Sequence, residues 1–584
     1  MDAARYVVDA LERAGIGHVV VAPGSRSAPL VYALAEAEAD GRLSVHVRVD
    51  ERVAGFTALG LALGSGVPAA VVTTSGTAVG NLLPAVMEAN HSGTPLLVLS
   101  ADRPEELRGT GANQTTHQLD LFGDHVRFAT DVPAGVDPSS AIATAMSAAR
   151  GRLDGISAGP VQVNLAFRDP LTPALDGSEW ERLLPTVDAP KVPDLPEFAD
   201  SDSDGGAIER GDVAGALPLP SGGVPEPLAS SSHRTVVVAG HGAGADAEYF
   251  ARMLGLPLLA EPSSNARFGP NAVGPYRLLL DKFGPDSALP IERVVLFGRP
   301  TLSRQISGLL ANAELERALF LPKPVSWFEA GHRTELILTQ WDQLVGFAGQ
   351  GPAGWLAAWQ EAAAGAETAL ETVLEGAVSN GGGLSGPDVA RQLWARAQQE
   401  SGSNLMLGSS NPVRDVDLAG RPTPENKVTT FANRGLAGID GTIATATGIA
   451  LATGAATRVL LGDVTFLHDS GALNIGPTEQ MPNLQVIVLN DGGGGIFSVL
   501  EHGTLAQAPN YASAVERFFG TPHTVDLAAL AVAYGWGHTL VRTAAELTDA
   551  LAASVVGRHI IEVAASRDGL RELHLSISAA IATH

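Results

Sequence analysis

Short apolar runs alternate along the chain with longer stretches rich in Ala and Leu. In the first part the runs are His18-Val-Val-Val-Ala22, Ser44-Val-His-Val-Arg48, Ala69-Ala-Val-Val-Thr73, Pro95-Leu-Leu-Val-Leu99 and Val161-Gln-Val-Asn164. Each is followed by Gly, Pro, Ser or Asp, which predicts buried strands closed by turns. Similar runs stand at Thr235-Val-Val-Val-Ala-Gly240, Arg458-Val-Leu-Leu-Gly462, Leu484-Gln-Val-Ile-Val-Leu489 and His559-Ile-Ile-Glu-Val563. Strand patterns alternating with helix patterns argue for α/β layers.

Breaks in composition divide the 584 residues into units. The first spans 1–185. A Pro-, Ser-, Asp- and Gly-rich stretch, 186–234, reads as a linker. A second α/β unit spans 235–345. Residues 346–384 hold a connecting helix over 352–376 and the breaker Asn380-Gly-Gly-Gly-Leu-Ser385. The third unit, 385–584, matches the first in size and style, and no short-period repeat is visible.

Charge and composition narrow the function classes. The net charge is −25, from 38 basic and 63 acidic residues, which disfavours nucleic acid and anionic membranes as partners. There is no cysteine, hence no disulfide framework and no thiol chemistry. The longest uncharged stretch near the candidate chemistry, Gly441 to Thr457, is too weakly hydrophobic for a membrane span and reads as a buried helix. No signal peptide is recognisable at the start, so the cytoplasm is the expected location.

Candidate chemistry gathers at two strand ends in the third unit. Asp463 closes one strand, and Asn490-Asp491-Gly-Gly-Gly-Gly closes the next. Ligands of open α/β sheets bind at that edge. Two carboxylates beside glycine-opened backbone suit Mg²⁺ bridged to a diphosphate. The spacing resembles the thiamine diphosphate (ThDP) signature of Gly-Asp-Gly followed, about 26 residues later, by Asn-Asn. Val464 stands at the second glycine of that signature and Asp491 at its second asparagine.

The first unit carries further motifs in order: Ala22-Pro-Gly-Ser-Arg-Ser-Ala-Pro-Leu30, Asp50-Glu51, Thr73-Thr-Ser-Gly-Thr-Ala78, Asn81-Leu-Leu-Pro-Ala85, Ala101-Asp-Arg-Pro-Glu-Glu-Leu107 and Gly111-Ala-Asn-Gln-Thr115. The third adds Ser410-Asn-Pro-Val-Arg414, Asn433-Arg-Gly-Leu-Ala-Gly-Ile-Asp-Gly441 and Gly494-Gly-Ile-Phe497. Together these closely resemble the SEPHCHC synthase (MenD) family of ThDP enzymes in menaquinone biosynthesis. The resemblance covers the first and third units, is thin in the second and absent in the linker.

It implies three α/β/α domains with parallel sheets, of the pyruvate decarboxylase-like ThDP-binding superfamily. The first unit would bind the cofactor's pyrimidine and the third its diphosphate. It implies a transferase that decarboxylates 2-oxoglutarate and adds the succinyl unit to isochorismate in a conjugate, Stetter-like step. The cofactors implied are ThDP and Mg²⁺, with Mn²⁺ able to substitute. The implied assembly is a homodimer or homotetramer with active sites at the subunit interface.

The resemblance also assigns roles. Glu51 activates the cofactor's aminopyrimidine, and Thr77 lies beside the cofactor. Ile439 wedges the cofactor into its bent form, and Ile496 and Phe497 line the pocket. Asp463, Asp491 and the Gly493 carbonyl hold the metal. Ser25, Arg26, Arg103, Ser410, Arg414 and Arg434 bind the substrates' carboxylates, which the planar Arg fork suits. Gln114 reaches the reacting groups, and Arg304 is expected to reach the site from the second unit. His468 reads as a satisfied structural histidine.

Alternatives remain open at this level. One is an acetolactate synthase-like carboligase acting on pyruvate. Another is a non-catalytic ThDP-binding subunit. A third is an NAD-dependent oxidoreductase, resting on Gly240-His-Gly242-Ala-Gly244 with Glu261 at dinucleotide-fold spacing. A separate expectation is that Asn265, Arg267, Arg277 and Arg304 form a regulatory anion site.

Overall fold

Seventeen short strands, nearly all of Val, Leu and Ile at their centres, form three separate parallel sheets in the computed structural model. The structure describes residues 2–153, 155–173, 231–329, 331–379 and 383–583. The first sheet comprises β1 (His18–Val21), β2 (Ser44–Val47), β3 (Ala69–Thr73), β4 (Leu96–Asp102), β5 (Ala129–Val132) and β6 (Val161–Ala166). The second comprises β7 (Thr235–Ala239), β8 (Leu258–Ala260), β9 (Arg293–Phe297), β10 (Glu316–Phe320) and β11 (Leu336–Leu338). The third comprises β12 (Ser403–Leu407), β13 (Val428–Phe431), β14 (Thr457–Gly462), β15 (Leu484–Asn490), β16 (Gly537–Val541) and β17 (Arg558–Ala564).

The first sheet runs β2-β1-β3-β4-β6-β5 and the third β13-β12-β14-β15-β17-β16. Counted from each unit's first strand, these orders are identical. The second sheet differs, at β11-β10-β9-β7-β8. Strands β3, β4 and β6 are buried along their whole length. Burial on both faces is expected of a parallel sheet covered by helices, and the polar Ser100, Gln162 and Asn164 buried there hydrogen-bond one another. Strand β5, Ala-Thr-Asp-Val, escapes sequence reading because it is an edge strand with only Val132 buried.

Most of the expected linker falls within residues 174–230, outside the described residues. Its last part already belongs to the second unit: Ser232 pairs with Gln350, and the Arg234 amide donates to Glu292 (2.8 Å). The connecting helix spans Trp355–Ser379. It buries Trp355 and Trp359 against Phe283, whose ring stacks on Trp359 at 3.9 Å.

Two helices tie the first sheet to the third. Glu51–Ser65 is buried over most of its surface, as is Thr442–Thr453. Neither has a polar face, as expected for helices enclosed on all sides. They cross with backbone against backbone. A Cβ on Gly60 would collide with the Thr445 carbonyl, and one on Gly448 with the Thr57 carbonyl. A Cβ on Gly64 would lie 3.0 Å from Ile449 Cα. Around this crossing Phe56, Leu59, Leu61, Ile443 and Ile449 join one core with residues from both sheets. Each such side chain contributes about 1.5–3 kcal/mol of burial. No helix among the described residues is long and apolar enough to cross a membrane.

The crossing predicts opposite outcomes for two glycine-to-alanine changes, read by calorimetry. Gly60→Ala forces two backbones apart and is expected to lower the apparent Tm by several degrees, as overpacking costs about 1–3 kcal/mol or more. Gly376→Ala, in the connecting helix with open space at its Cβ position, is expected to leave Tm unchanged or raise it.

Candidate active site

Parallel pairing places the chemistry of the third unit at one sheet edge. Gly462 at the end of β14 is in register with Leu489 near the end of β15, so Asp463 and the 490–495 run emerge side by side. Asp463 is buried. Its Oδ1 accepts from the Val464 amide (2.6 Å), and its Oδ2 accepts from the Gly493 amide (2.8 Å). His523 Nε2 lies 3.1 Å from the same Oδ2, while its Nδ1 accepts from the Val525 amide (3.3 Å). That second bond leaves the proton on Nε2, which therefore donates to Asp463.

Burial, and then the Asp463 charge, push the Asp491 carboxyl up to about 7. Two carboxylates in this relation favour a cation between them. The backbone opens at the same point, with φ of +76° at Gly492 and +148° at Gly493. A Cβ on Gly493 would collide with the Gly520 carbonyl. Among the described residues no cluster of three or more His, Asp or Glu could hold a metal on its own. Two carboxylates and a carbonyl, completed by a ligand's oxygens and water, fit Mg²⁺, which keeps much of its shell outside the protein. Asn490 faces elsewhere. Its Nδ2 donates to Glu562 Oε1 (2.7 Å), and Glu562 Oε2 pairs with His538 (2.8 Å). Its role is to brace the loop.

Ile496 and Phe497 start a short helix directly after the glycines, with Phe497 packed 5.3 Å from the Phe519 ring. Arg304, at the start of its helix, forms a bidentate pair with Glu501 just beyond. The second unit thus reaches this segment, through an exposed pair of small energetic weight.

The first unit gathers its own set at the ends of β1, β2, β3 and β4. Asp50 caps the 51–65 helix, accepting from the Arg52 amide (2.8 Å) and the Val53 amide (3.4 Å). Glu51, half-buried in the first turn, makes no side-chain hydrogen bond or ion pair among the described residues and is left free for chemistry. The helix-capping role available to this acidic pair falls to Asp50.

Arg103 Nη1 donates to Ser75 Oγ (2.6 Å) and to the Gln114 carbonyl (2.9 Å). Arg26 donates to the Phe167 carbonyl (3.0 Å). Partial burial lowers the Arg103 pKa, and the Arg26 charge adds to that. Gly76, with φ +82°, packs against Gln114, and Thr77 opens the next helix. Ser25, beside Arg26, is exposed.

A third set joins the second and third units. Ser410 precedes the Asn411–Ala419 helix, and Arg414 Nη1 donates to its carbonyl (2.7 Å). Arg434 is buried and donates from Nη2 to Thr301 Oγ1 (2.9 Å). Burial lowers the pKa of both arginines, and the Arg434 charge lowers that of Arg414 further. The two cations are therefore neighbours. Ile439 lies half-buried in the loop leading from Arg434 to Gly441.

Backbone strain marks the same places. Five non-glycine residues have positive φ among the described residues: Gln114, Asn265, Ser410, Ala437 and Thr521. Gln114 and Ser410 are candidate site residues, Ala437 lies in the Arg434–Ile439 loop, and Thr521 follows the Gly520 carbonyl that packs on Gly493. Such conformations cost of order 1–3 kcal/mol and persist where surrounding structure imposes them, commonly at functional sites.

One expectation needs correction, and one alternative loses its footing. Asn265, Arg267, Arg277 and Arg304 do not form one free anion site. Arg267 is buried and donates to the carbonyls of Ala260, Gly420 and Asp417. Asn265 exchanges two bonds with the Thr430 backbone (2.8 and 3.0 Å). Both are cross-links to the third unit. The dinucleotide pattern is likewise filled by the chain itself: a Cβ on Gly240 would collide with Pro300, and Glu261 Oε1 accepts from the Thr301 and Leu302 amides (both 2.9 Å). His468 is held structurally by Arg52, which donates to its carbonyl (2.8 Å). Among the described residues no hydrogen bond or ion pair joins Glu51, Arg26, Arg103 or Gln114 to the third-unit sets. The first and third units thus present separate sets of candidate residues. His523 and Glu562 carry no local signal in the sequence; they are legible only through their contacts.

The family model described as thiamine pyrophosphate enzyme, N-terminal TPP binding domain, matches residues 1–122. The corresponding C-terminal TPP binding domain matches 419–563. The 2-succinyl-5-enolpyruvyl-6-hydroxy-3-cyclohexene-1-carboxylate synthase of Arthrobacter sp. (strain FB24) is 58% identical over 581 residues, covering 100% of this chain and 92% of that protein. The synthase of the same name from Renibacterium salmoninarum is 58% identical over 583 residues, covering 100% and 97%. That of Kineococcus radiotolerans is 46% identical, covering 99% and 98%. Among solved structures, benzoylformate decarboxylase from Polynucleobacter necessarius superposes with a TM-score of 0.64 at 16% identity, over 97% of this chain and 99% of that one. At that identity the likeness concerns the fold.

The packing at Gly493 yields a prediction. Gly493→Ala, strained in φ and obstructed by Gly520, is expected to weaken Mg²⁺-dependent ThDP binding at least about tenfold in isothermal titration. Unchanged affinity would mean that this turn does not contact the diphosphate or its metal.

Proposed function

The chain belongs to the 2-succinyl-5-enolpyruvyl-6-hydroxy-3-cyclohexene-1-carboxylate (SEPHCHC) synthase family of thiamine diphosphate enzymes, and on that premise we propose which residues run its reaction. It is a transferase of menaquinone biosynthesis that decarboxylates 2-oxoglutarate and adds the succinyl unit to isochorismate. When bound, ThDP supplies the electron sink for decarboxylation and carbon–carbon bond formation.

Asp463, Asp491 and the Gly493 carbonyl hold Mg²⁺ against the cofactor's diphosphate, and Mn²⁺ substitutes for it. Glu51 would hold the cofactor's aminopyrimidine by a hydrogen bond from its carboxyl group and so support the cofactor's activation. Its freedom from capping, which Asp50 provides, supports this role. Thr77 contacts the cofactor, Ile439 supports its bend, and Ile496 and Phe497 wall the reacting face.

The observation that carries the substrate assignment is the grouping of arginines. Arg26 and Arg103 are coupled at the first-unit strand ends, and Arg414 and Arg434 at the third-unit ends. Both substrates bear two carboxylates, and two arginine pairs answer that demand where one pair would serve pyruvate. Ser25 and Ser410 add hydroxyls beside Arg26 and Arg414. Gln114, held in a left-handed conformation, orients the reacting carbonyl. Arg304 completes the wall from the second unit, exchanging Glu501 for substrate carboxylate.

The working unit in this reading is a homodimer in which each cofactor lies between two chains; it is supported by the separation of the first-unit and third-unit sets, which share no hydrogen bond or ion pair among the described residues. Pairing of such dimers gives a tetramer. Val47 and Val49, beside Glu51, are exposed at 40% and 67% and offer apolar surface for such contact. The reading calls for no membrane insertion and no nucleic acid, and a cytoplasmic location is part of the proposal.

A steady-state assay with ThDP and Mg²⁺ tests this function. Loss of isochorismate absorbance is expected only when 2-oxoglutarate is also present, with a product of the mass of SEPHCHC. Turnover with pyruvate in place of 2-oxoglutarate would contradict the arginine assignment.

A further inference from the structure

The loop carrying Arg434 is gripped from outside its own unit. Glu88 lies on the Leu83–Ser92 helix of the first unit and is buried. Its Oε1 accepts from the Gly435 amide (2.6 Å) and its Oε2 from the Leu436 amide (2.7 Å). Both carboxylate oxygens are thus spent on the two peptide groups that follow Arg434. On the other side, Arg299 Nη1, from the second unit, donates to the Gly435 carbonyl (2.7 Å). Gly435 is obligatory here, since a Cβ would lie 2.6 Å from the Glu88 carbonyl and 2.9 Å from its Cδ.

The guanidinium of Arg434 is set by a matching device. Thr301 accepts Arg434 Nη2, and Glu261 pins Thr301 by accepting the Thr301 and Leu302 amides. One buried carboxylate therefore fixes the backbone of Arg434, and another fixes the partner of its side chain. A charged acceptor with two short amide bonds is among the stronger backbone clamps available to a loop. With Nη2 committed to Thr301, Nη1 and Nε make no protein hydrogen bond among the described residues. They are the atoms left to meet a carboxylate.

We propose that Glu88 is a positioning residue for substrate binding: from the first unit, it holds the Gly435 and Leu436 amides so that the Arg434 guanidinium presents its free edge to a substrate carboxylate. This rests on the reading of Arg434 as a substrate-binding arginine. Glu88 itself touches neither substrate nor cofactor. Glutamine at 88 keeps the size and one acceptor oxygen but loses the second, so one amide is released and the loop gains freedom next to Arg434. An alanine-sized gap is avoided.

The test is a double-mutant cycle of Glu88→Gln and Arg434→Ala. KM for 2-oxoglutarate and for isochorismate, kcat, ThDP affinity and thermal transition are measured for all four proteins. Glu88→Gln is expected to raise KM for one substrate about tenfold, the size of one lost charge-assisted bond, with ThDP affinity within about twofold of wild type. Arg434→Ala is expected to raise the same KM more. The double variant should match Arg434→Ala alone, because Glu88 acts through the arginine. Glu88→Asp, which preserves the charge, is expected to fall between wild type and Glu88→Gln; it replaces Glu88→Gln in the cycle if that variant does not fold. A Glu88→Gln factor that multiplies undiminished in the Arg434→Ala background would overturn the proposal and leave the substrate role of Arg434 intact. Wild-type KM values in Arg434→Ala would instead remove the substrate role of Arg434, and the proposal with it.

Discussion

The crossing of the 51–65 and 442–453 helices is the constraint on which the site depends. Gly60, Gly64 and Gly448 bring two backbones into direct contact between sheets of identical strand order. Each helix begins at a functional turn. The first starts at Glu51, and the second starts directly after the loop that holds Arg434 and Ile439. Fixing the crossing fixes the spacing between the two candidate half-sites of one chain, Glu51 on one side and the Arg434–Ile439 loop on the other.

Around that frame the molecule concentrates opposite charge. The chain carries −25 overall, yet Arg26, Arg103, Arg414 and Arg434 gather at strand ends, where partial burial strengthens their interaction with anions. Long-range repulsion of an anionic substrate is screened over about 8 Å at physiological salt. The local field of the arginines decides binding. Around Arg434 the buried carboxylates Glu88 and Glu261 accept from backbone amides and so brace its loop and its Thr301 partner.

Much of this was legible in the sequence because the signals are local. Strand ends are marked by apolar runs closing in Gly, Asp or Ser, and parallel pairing carries those ends to one edge. Asp463, Asp491, Gly493, Arg26, Arg103 and Arg434 sit at or just after such strand ends, while Arg414 lies in the first turn of the helix that follows β12. The uncharged 441–457 stretch declared a buried helix, although nothing in it named the partner helix. What stayed hidden depends on tertiary partners. Strand β5 has no apolar run, being an edge strand. His523 reaches Asp463 across 60 residues, and Asn490 turns to Glu562 across 72. Arg267 and Asn265 looked available in sequence, but packing of the second unit on the third consumed their hydrogen bonds. Glu261 matched a ribose-binding position by spacing alone, and the Thr301 and Leu302 amides occupy it.

The central claim is that the two half-sites of one chain serve different cofactors, each completed by a second copy. Subunit complementation tests it most directly. Glu51→Gln and Asp463→Asn chains, each inactive as pure protein, are mixed, allowed to exchange subunits and assayed with both substrates. A shared interface predicts recovery of about a quarter of wild-type activity, since half of the random dimers are mixed and each mixed dimer holds one intact site. Mixing that leaves the proteins inactive, with mixed dimers demonstrably present, would place Glu51 and Asp463 on the same cofactor within one chain and contradict the account.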